Sequence, residues 1–294
     1  MWAAASELMA RVPSAARVAL FWRKALERLL RHASALTWRC LRRRQSPELA
    51  RLQLRRTDIA ALRAARRPIP LNTVLALCSS SNLQITRHDL DTVTGRNAWC
   101  NDEVVNLYLQ LASAQYDGVT ALSSFFYTAL VPHGARAAYN YGAVRRWTKQ
   151  IDIFSKQLAL FPINHGNAHW TLVAVFPQWR LLQYYDSLTG PTSRGAATRV
   201  LNNMKRYLSD EHLDKKGTAL DVDAWTVERV VDGAPLQGDA SACGVFTVTT
   251  AAILAAHIAG GAWPPVFPYT QAHVPALRTR IAADCLTLRH TPLG

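Results

Sequence analysis

The chain has 294 residues, with 49% hydrophobic, 18% charged, 14 glycines and 14 prolines, a composition that excludes collagen-like, low-complexity and bulk-disordered polypeptides and allows one substantial core with an appendage. The formal charge of +14 is uneven, because residues 1–67 carry 16 basic against 4 acidic side chains while the other residues carry 18 against 16. A basic groove for nucleic acid is therefore not expected in the body of the protein.

From Ala15 to about Arg44 the pattern is helical. Val18, Trp22, Leu26, Leu29, Ala33, Leu36 and Cys40 recur at three- or four-residue steps, with arginines between them. Such a basic amphipathic helix fits three roles: a solvated extension, a mitochondrial targeting segment, or a surface that docks membrane, acidic protein or nucleic acid. Arg42-Arg43-Arg44 is also a weak match to a nuclear import signal. Residues 1–45 are read as this N-terminal extension and residues 46–294 as the catalytic domain.

Ser46-Pro47-Glu48 predicts a helix start with Ser46 as N-cap, ending near Arg66 because Arg67 precedes Pro68. Short strands are predicted at Asn72–Leu77 and Leu83–Thr86, and a helix over Asp102–Ala114 with Val104, Val105, Leu107, Tyr108 and Leu111 inward. Leu158–Ile163, Trp170–Phe176 and Trp179–Tyr185 read as three strands. Pro177 and Gln178 form the turn between the last two, centred between 177 and 178. A helix over Ala196–Asp210, a strand over Trp225–Val231 and a long apolar helix over Cys243–Ala259, closed by Gly260-Gly261, complete the pattern. Strands flanked by helices in no regular βαβ order indicate an α+β fold with a central mixed or antiparallel sheet.

A hairpin centred there pairs residues whose numbers sum to 355, so His169 faces Asp186 at a Cβ separation of about 4.5–5.5 Å. A carboxylate there fixes the imidazole tautomer and leaves its other nitrogen free to act as base; a pair that only pins two strand ends is the competing reading. Gly238-Asp239-Ala240-Ser241-Ala242 reads as a loop, which sets the Cys243 thiol at a helix N-terminus, where free amides and the helix dipole favour thiolate. Gly244 gives room for a bound carbonyl to approach. Gln237, on the same loop, is placed to donate to an oxyanion together with the Cys243 amide. His165, in the Asn164-His165-Gly166-Asn167 loop, is a rival base without a matching carboxylate and reads as a surface histidine. His257, near a helix end, and His88, in a loop, have equally plain readings.

These residues sit within a longer ordered set. Ile85-Thr86-Arg87-His88-Asp89-Leu90 and Trp99-Cys100-Asn101-Asp102-Glu103-Val104-Val105-Asn106 are followed by Ser124-Phe125-Phe126-Tyr127, Val144-Arg145-Arg146-Trp147-Thr148 and His169-Trp170-Thr171-Leu172. Tyr185-Asp186-Ser187-Leu188, Arg206-Tyr207-Leu208 and Gln237 before Cys243-Gly244 complete it. Over about residues 70–290 the chain resembles the Ulp/SENP proteases that process and remove SUMO and related modifiers. The resemblance implies a papain-like fold, His169, Asp186 and Cys243 as catalytic triad, and Gln237 as oxyanion-hole residue. It also implies that Trp99 and Trp170 close over the modifier's Gly-Gly tail as a narrow tunnel, which only residues without side chains pass, and that Asp102 contacts a basic residue of the modifier.

Two positions depart from the family pattern: Ala242 stands where Asp usually precedes the nucleophile, and Cys100 where Leu usually follows the first tryptophan. Ala242 removes a side chain that would order the nucleophile loop. The expected activity is cleavage after the Gly-Gly of SUMO, in deconjugation or precursor processing. Competing readings are a protease for another ubiquitin-like modifier, a protein acetyltransferase on the same fold, and a non-catalytic modifier-binding module. No cofactor or metal is expected. The expected partners are SUMO and its conjugates, with nucleic-acid or membrane contact only through residues 1–45 and the chain a monomer. Five cysteines without a C-x-x-C pair point to a reducing, intracellular setting, nucleus or cytoplasm, apart from the mitochondrial reading of the extension.

Overall fold

A computed structural model of the chain describes residues 54–132, 138–188, 191–230, 233–261, 265 and 267–293. The basic extension and the Ser46 cap lie outside them. The first described helix, α1 (Arg56–Ala65), begins where the Arg55 amide donates to Asp58 Oδ2 at 2.8 Å. Strands β1 (Val74–Cys78) and β2 (Leu83–Thr86) form a separate antiparallel pair. Thr86 then caps α2 (Arg87–Thr94) in a reciprocal box with Asp89, and Asn101 caps α3 (Asp102–Ser113) by accepting from the Val104 amide at 3.2 Å. His88 is therefore helical, because the Thr86-x-x-Asp89 box starts a helix at Arg87.

The main sheet comprises β3 (Val119–Ala121), β4 (Leu158–Asn164), β5 (Trp170–Phe176), β6 (Leu181–Tyr185) and β7 (Thr226–Val230), in that spatial order. Its inner three strands are antiparallel, and both outer pairs are parallel. The sheet is mixed, as the α+β reading requires. β5 is buried along its whole length, which explains why it reads as a continuous apolar run. Val173 and Val175 point to one face with Phe161 and Tyr184. There they pack with Phe126 from α4 (Phe125–Leu130) and with Val200, Met204 and Tyr207 from α5 (Pro191–Lys216).

The opposite face of β4 and β5 packs on α6 (Cys243–Ala259), whose residues are buried from Cys243 through Ala255. A helix apolar on every side belongs in a core, and α3 and α7 (Val274–Thr287) cover its other sides. α6 therefore presents its N-terminus at one end of the sheet, beside the ends of β5 and β6. On α7, Arg280 binds Asp58 of α1 at 2.8 Å and Asp284 at 2.7 Å, all three buried. Among the described residues no helix is long and apolar enough to cross a membrane.

The hairpin register differs from the expected one. Leu172 pairs with Tyr185 and Phe176 with Leu181, so partners sum to 357 and the centre lies between 178 and 179. The reason is the turn: Pro177–Trp179 is a short 3₁₀ helix and Arg180 takes φ 50°, so Trp179 and Arg180 belong to the loop rather than to β6. α5 is likewise longer than the Ala196–Asp210 expected.

Candidate active site

Despite the shifted register, His169 Nε2 lies 2.7 Å from Asp186 Oδ1. A slip of two residues keeps every side chain on its face, and the contact becomes a diagonal one between the residue just before β5 and the residue just after β6. The Asp186 side chain is 3% exposed and also accepts from the Leu188 amide at 2.9 Å. With Nε2 taken by the carboxylate, Nδ1 is the nitrogen left over for the Cys243 thiol, which interacts with the imidazole. Burial works to lower the pKa of His169, but the Asp186 bond and the nearby Cys243 thiol outweigh it and raise it from 6.5 to about 9. Catalytic hydrogen bonds that are loose in the resting state tighten when substrate arrives.

Cys243 is the first residue of α6 and is buried. A Cβ at Gly244 would sit 2.7 Å from Cys100 Cβ, 3.3 Å from Cys100 Sγ and 3.3 Å from Trp170 Cδ1. Glycine is required here because the Trp99–Asn101 segment packs directly on the helix start. Trp170 is buried, with Nε1 donating to the Cys100 carbonyl at 2.8 Å. Burial pushes the Cys100 thiol up to about 12, against the pull of the Arg278 guanidinium.

The loop before Cys243 is organised by a residue the sequence reading passed over. Asp239 Oδ1 accepts from the Ser241 amide at 2.6 Å, the Ala242 amide at 2.8 Å and Ser241 Oγ at 3.1 Å, and its Oδ2 accepts from Gln271 Nε2. Gln271 Oε1 in turn accepts from the Gly238 amide at 2.7 Å. Burial works to raise the Asp239 pKa, but these donors outweigh it and lower it. The loop is thus ordered from Asp239, four residues before Cys243, without a carboxylate at 242. The signal was present as Asp-x-Ser, which folds readily into an Asx turn.

Gln237 lies on this loop, with its amide nitrogen donating to the Asp239 carbonyl at 2.6 Å and its Oε1 accepting from Ser187 Oγ at 2.6 Å. The Gln237 backbone also donates to the Ser187 carbonyl at 3.0 Å, which fastens the loop to the chain just past Asp186. An open cleft of about 550 Å³ is lined by Trp99, Ala168, Leu188, Gln237, Gly238, Asp239 and Ala240. Trp99 is 42% exposed on its wall, whereas Trp170 lies beneath the surface against Cys100 and Gly244. Asp102 starts α3 and accepts from Ser124 Oγ at 2.7 Å.

His165 is not a plain surface histidine. Its Nε2 is 2.9 Å from Thr171 Oγ1 and 3.3 Å from Tyr184 Oη, and its ring stacks on His169 with centroids 6.0 Å apart. Gly166 and Asn167 at φ near 60° turn the loop back, so the His165 amide reaches the His169 carbonyl at 2.8 Å. His257 Nδ1 lies 3.0 Å from the Ile253 carbonyl, one turn back in α6.

A mixed sheet with a cysteine-headed helix across the end of a His-bearing hairpin is the papain-like α+β architecture. Residues 98–293 match the Ulp1 protease family, C-terminal catalytic domain, and the chain belongs to that family. It is 36% identical over 172 residues to a sentrin-specific protease of Caenorhabditis elegans, covering 56% of this chain and 23% of that protein. To the ubiquitin-like-specific protease ESD4 of Arabidopsis thaliana it is 32% identical over 227 residues, covering 74% and 43%. The matched part thus spans less than half of these relatives' length. Among solved structures, the Ulp1-like SUMO protease catalytic domain of Chaetomium thermophilum superposes with TM-score 0.58 at 26% identity, covering 81% of this chain and 91% of that one. SUMO protease Ulp1 with its catalytic cysteine oxidized to a sulfenic acid gives TM-score 0.64 at 25% identity, covering 80% and 96%.

Proposed function

We propose that the chain is a cysteine-type isopeptidase and endopeptidase that cleaves after the C-terminal Gly-Gly of SUMO. The observation that carries this reading is the 2.7 Å bond from His169 to Asp186 beside a cysteine at the head of α6. With Nε2 held by Asp186, His169 offers Nδ1 to the thiol, and a proton passing from Sγ to Nδ1 leaves the thiolate–imidazolium pair of a cysteine hydrolase. The thiolate attacks the terminal glycine carbonyl, and the resulting oxyanion is met by the Cys243 amide and by Gln237, whose amide nitrogen carries a second N–H besides the one given to Asp239. His169 then protonates the leaving amine, which frees a lysine side chain or a propeptide. Water activated by His169 hydrolyses the thioester and restores the thiol.

In this reading Trp99 forms the movable wall over the Gly-Gly tail, Trp170 supports the floor, and Asp102 faces a basic residue of the modifier. The names of the relatives favour SUMO over another modifier. The four described free cysteines, Cys78, Cys100, Cys243 and Cys285, suit a reducing intracellular compartment, and we read the chain as a monomer. The test is hydrolysis of C-terminal fluorogenic amides of SUMO and of a panel of other modifiers by the full chain. SUMO amide is expected to be cleaved with kcat/KM at least about tenfold above any other; cleavage of another modifier but not SUMO would overturn the substrate assignment.

A further inference from the structure

Arg278 lies on α7, outside the chemistry described above, yet it is 8% exposed and its hydrogen bonds all go to main-chain carbonyls and one hydroxyl. Nη1 donates to the Val93 carbonyl at 3.1 Å, in the last turn of α2. Nη2 donates to the Ala98 carbonyl at 2.8 Å, to the Ser241 carbonyl at 3.2 Å and, weakly, to Ser241 Oγ at 3.4 Å. Ala98 precedes Trp99, and Ser241 lies two residues before Cys243. One nitrogen therefore joins the segment that carries a wall of the cleft to the segment that carries the thiol.

We infer that Arg278 is a positioning residue that sets the spacing between the Trp99 wall and the nucleophile loop. Both segments are irregular backbone, with no strand ladder between them to fix their separation. The carbonyls of Val93, Ala98 and Ser241 each need a donor, and a planar guanidinium supplies several at fixed angles, which an ammonium does not. The role complements that of Asp239, which holds the Ser241 amide while Arg278 holds the Ser241 carbonyl. The loop is gripped on both sides of the same residue.

The inference rests on Cys243 as nucleophile, and its test separates the two claims. In the full chain, Arg278→Lys keeps the charge and loses the fork, whereas Arg278→Met loses both. Per titrated active site, Arg278→Lys is expected to lower kcat on the SUMO C-terminal amide about 10–100-fold with KM within about threefold, as small misplacement of reacting groups does. Arg278→Met is expected to lose at least as much kcat, and iodoacetamide should still alkylate Cys243 in both variants. Arg280→Lys, on the same helix but bound to Asp58 and Asp284, should lower the melting temperature and leave kcat within about twofold. Unchanged kcat in Arg278→Lys or an equal loss in Arg280→Lys would each overturn the inference. A wild-type chain that alkylates normally but cleaves no SUMO amide would instead sink the functional reading, and hydrogen exchange of the wild-type chain would still decide the role of Arg278. Should neither Arg278 variant fold, hydrogen exchange of the wild-type chain decides: peptides over 96–101 and 238–243 exchange at a common rate if one side chain holds both, and rates more than about tenfold apart overturn it.

Discussion

The two halves of the candidate site are held by different physics. His169 and Asp186 hang from the ends of β5 and β6, where the ladder from Leu172–Tyr185 to Phe176–Leu181 fixes the backbone and a buried core covers both faces. Cys243 heads a buried helix, but the loop that delivers it is held by a few side chains: Asp239, Gln271, Gln237 and Arg278. A ladder distributes its hold over many main-chain bonds, so one side chain matters little to its geometry. The loop concentrates its hold in polar groups that substitution removes one at a time. The strand half should therefore tolerate mutation at the cost of stability alone, while the loop half should convert mutation into lost turnover.

The largest departure from that rule is expected at Asp186, a strand-end side chain to which the proposed mechanism gives a part in the chemistry. Asp186→Asn should lower kcat/KM by roughly 10²–10⁴-fold, because the carboxylate both orients His169 and stabilises its imidazolium. The same variant checks the pH dependence. His169 is raised from 6.5 to about 9 in the folded chain, so its protonated form contributes stability that is fully present below about 6.5 and is lost as pH rises through about 9. Activity that needs the imidazolium should fall above pH about 9, and a kcat/KM profile should show that limb moving to lower pH in Asp186→Asn. A limb that stays in place would mean that Asp186 does not set the proton affinity of the base.

Next in size is Asp239→Ala, expected to lower kcat about 10–100-fold by freeing the Ser241 and Ala242 amides, and to lower stability by about 2 kcal/mol as charge-assisted bonds are lost. Measurement of kcat together with urea unfolding checks both. Val175→Ala, at the end of β5 away from His169, should cost a similar stability, about 2 kcal/mol, from two buried carbons and the space they leave. Its kcat per folded molecule should stay within about twofold. Equal kcat losses in these two variants would erase the distinction between the halves. The smallest effect is expected from deleting residues 1–45, which should leave cleavage of a soluble SUMO amide within about twofold; loss of folding would show instead that the extension belongs to the core.

How much of this was legible in the sequence follows the same division. Long apolar runs with ladder-like spacing, β4, β5 and α6, could be read almost to the residue because burial on every side leaves one signature. The His169–Asp186 pair was found with a register two residues off, since alternation fixes the face of a side chain while turn geometry fixes the partner, and Arg180 at φ 50° gave no sequence cue. α7 went unread because Arg278, Arg280 and Asp284 look like a solvent face and are buried. Arg278 stayed hidden because hydrogen bonds between distant segments leave no periodicity, whereas the hold of Asp239 on its loop is local and was signalled by Asp-x-Ser. His165 was misjudged for want of the left-handed turn at Gly166-Asn167 that brings it onto His169. The family resemblance supplied what the local pattern lacked, the joining of Gln237, Cys243, His169 and Asp186 into one site.

The central claim is that Cys243, among the cysteines of this chain, is the nucleophile toward a SUMO tail. Treatment of the full chain with SUMO bearing a C-terminal electrophile, followed by peptide mass spectrometry, tests it most directly. One adduct is predicted, on Cys243, abolished in Cys243→Ala, with Cys100 unmodified although it packs on the adjacent Gly244. An adduct on another cysteine, or equal labelling of the Cys243→Ala chain, would contradict the account.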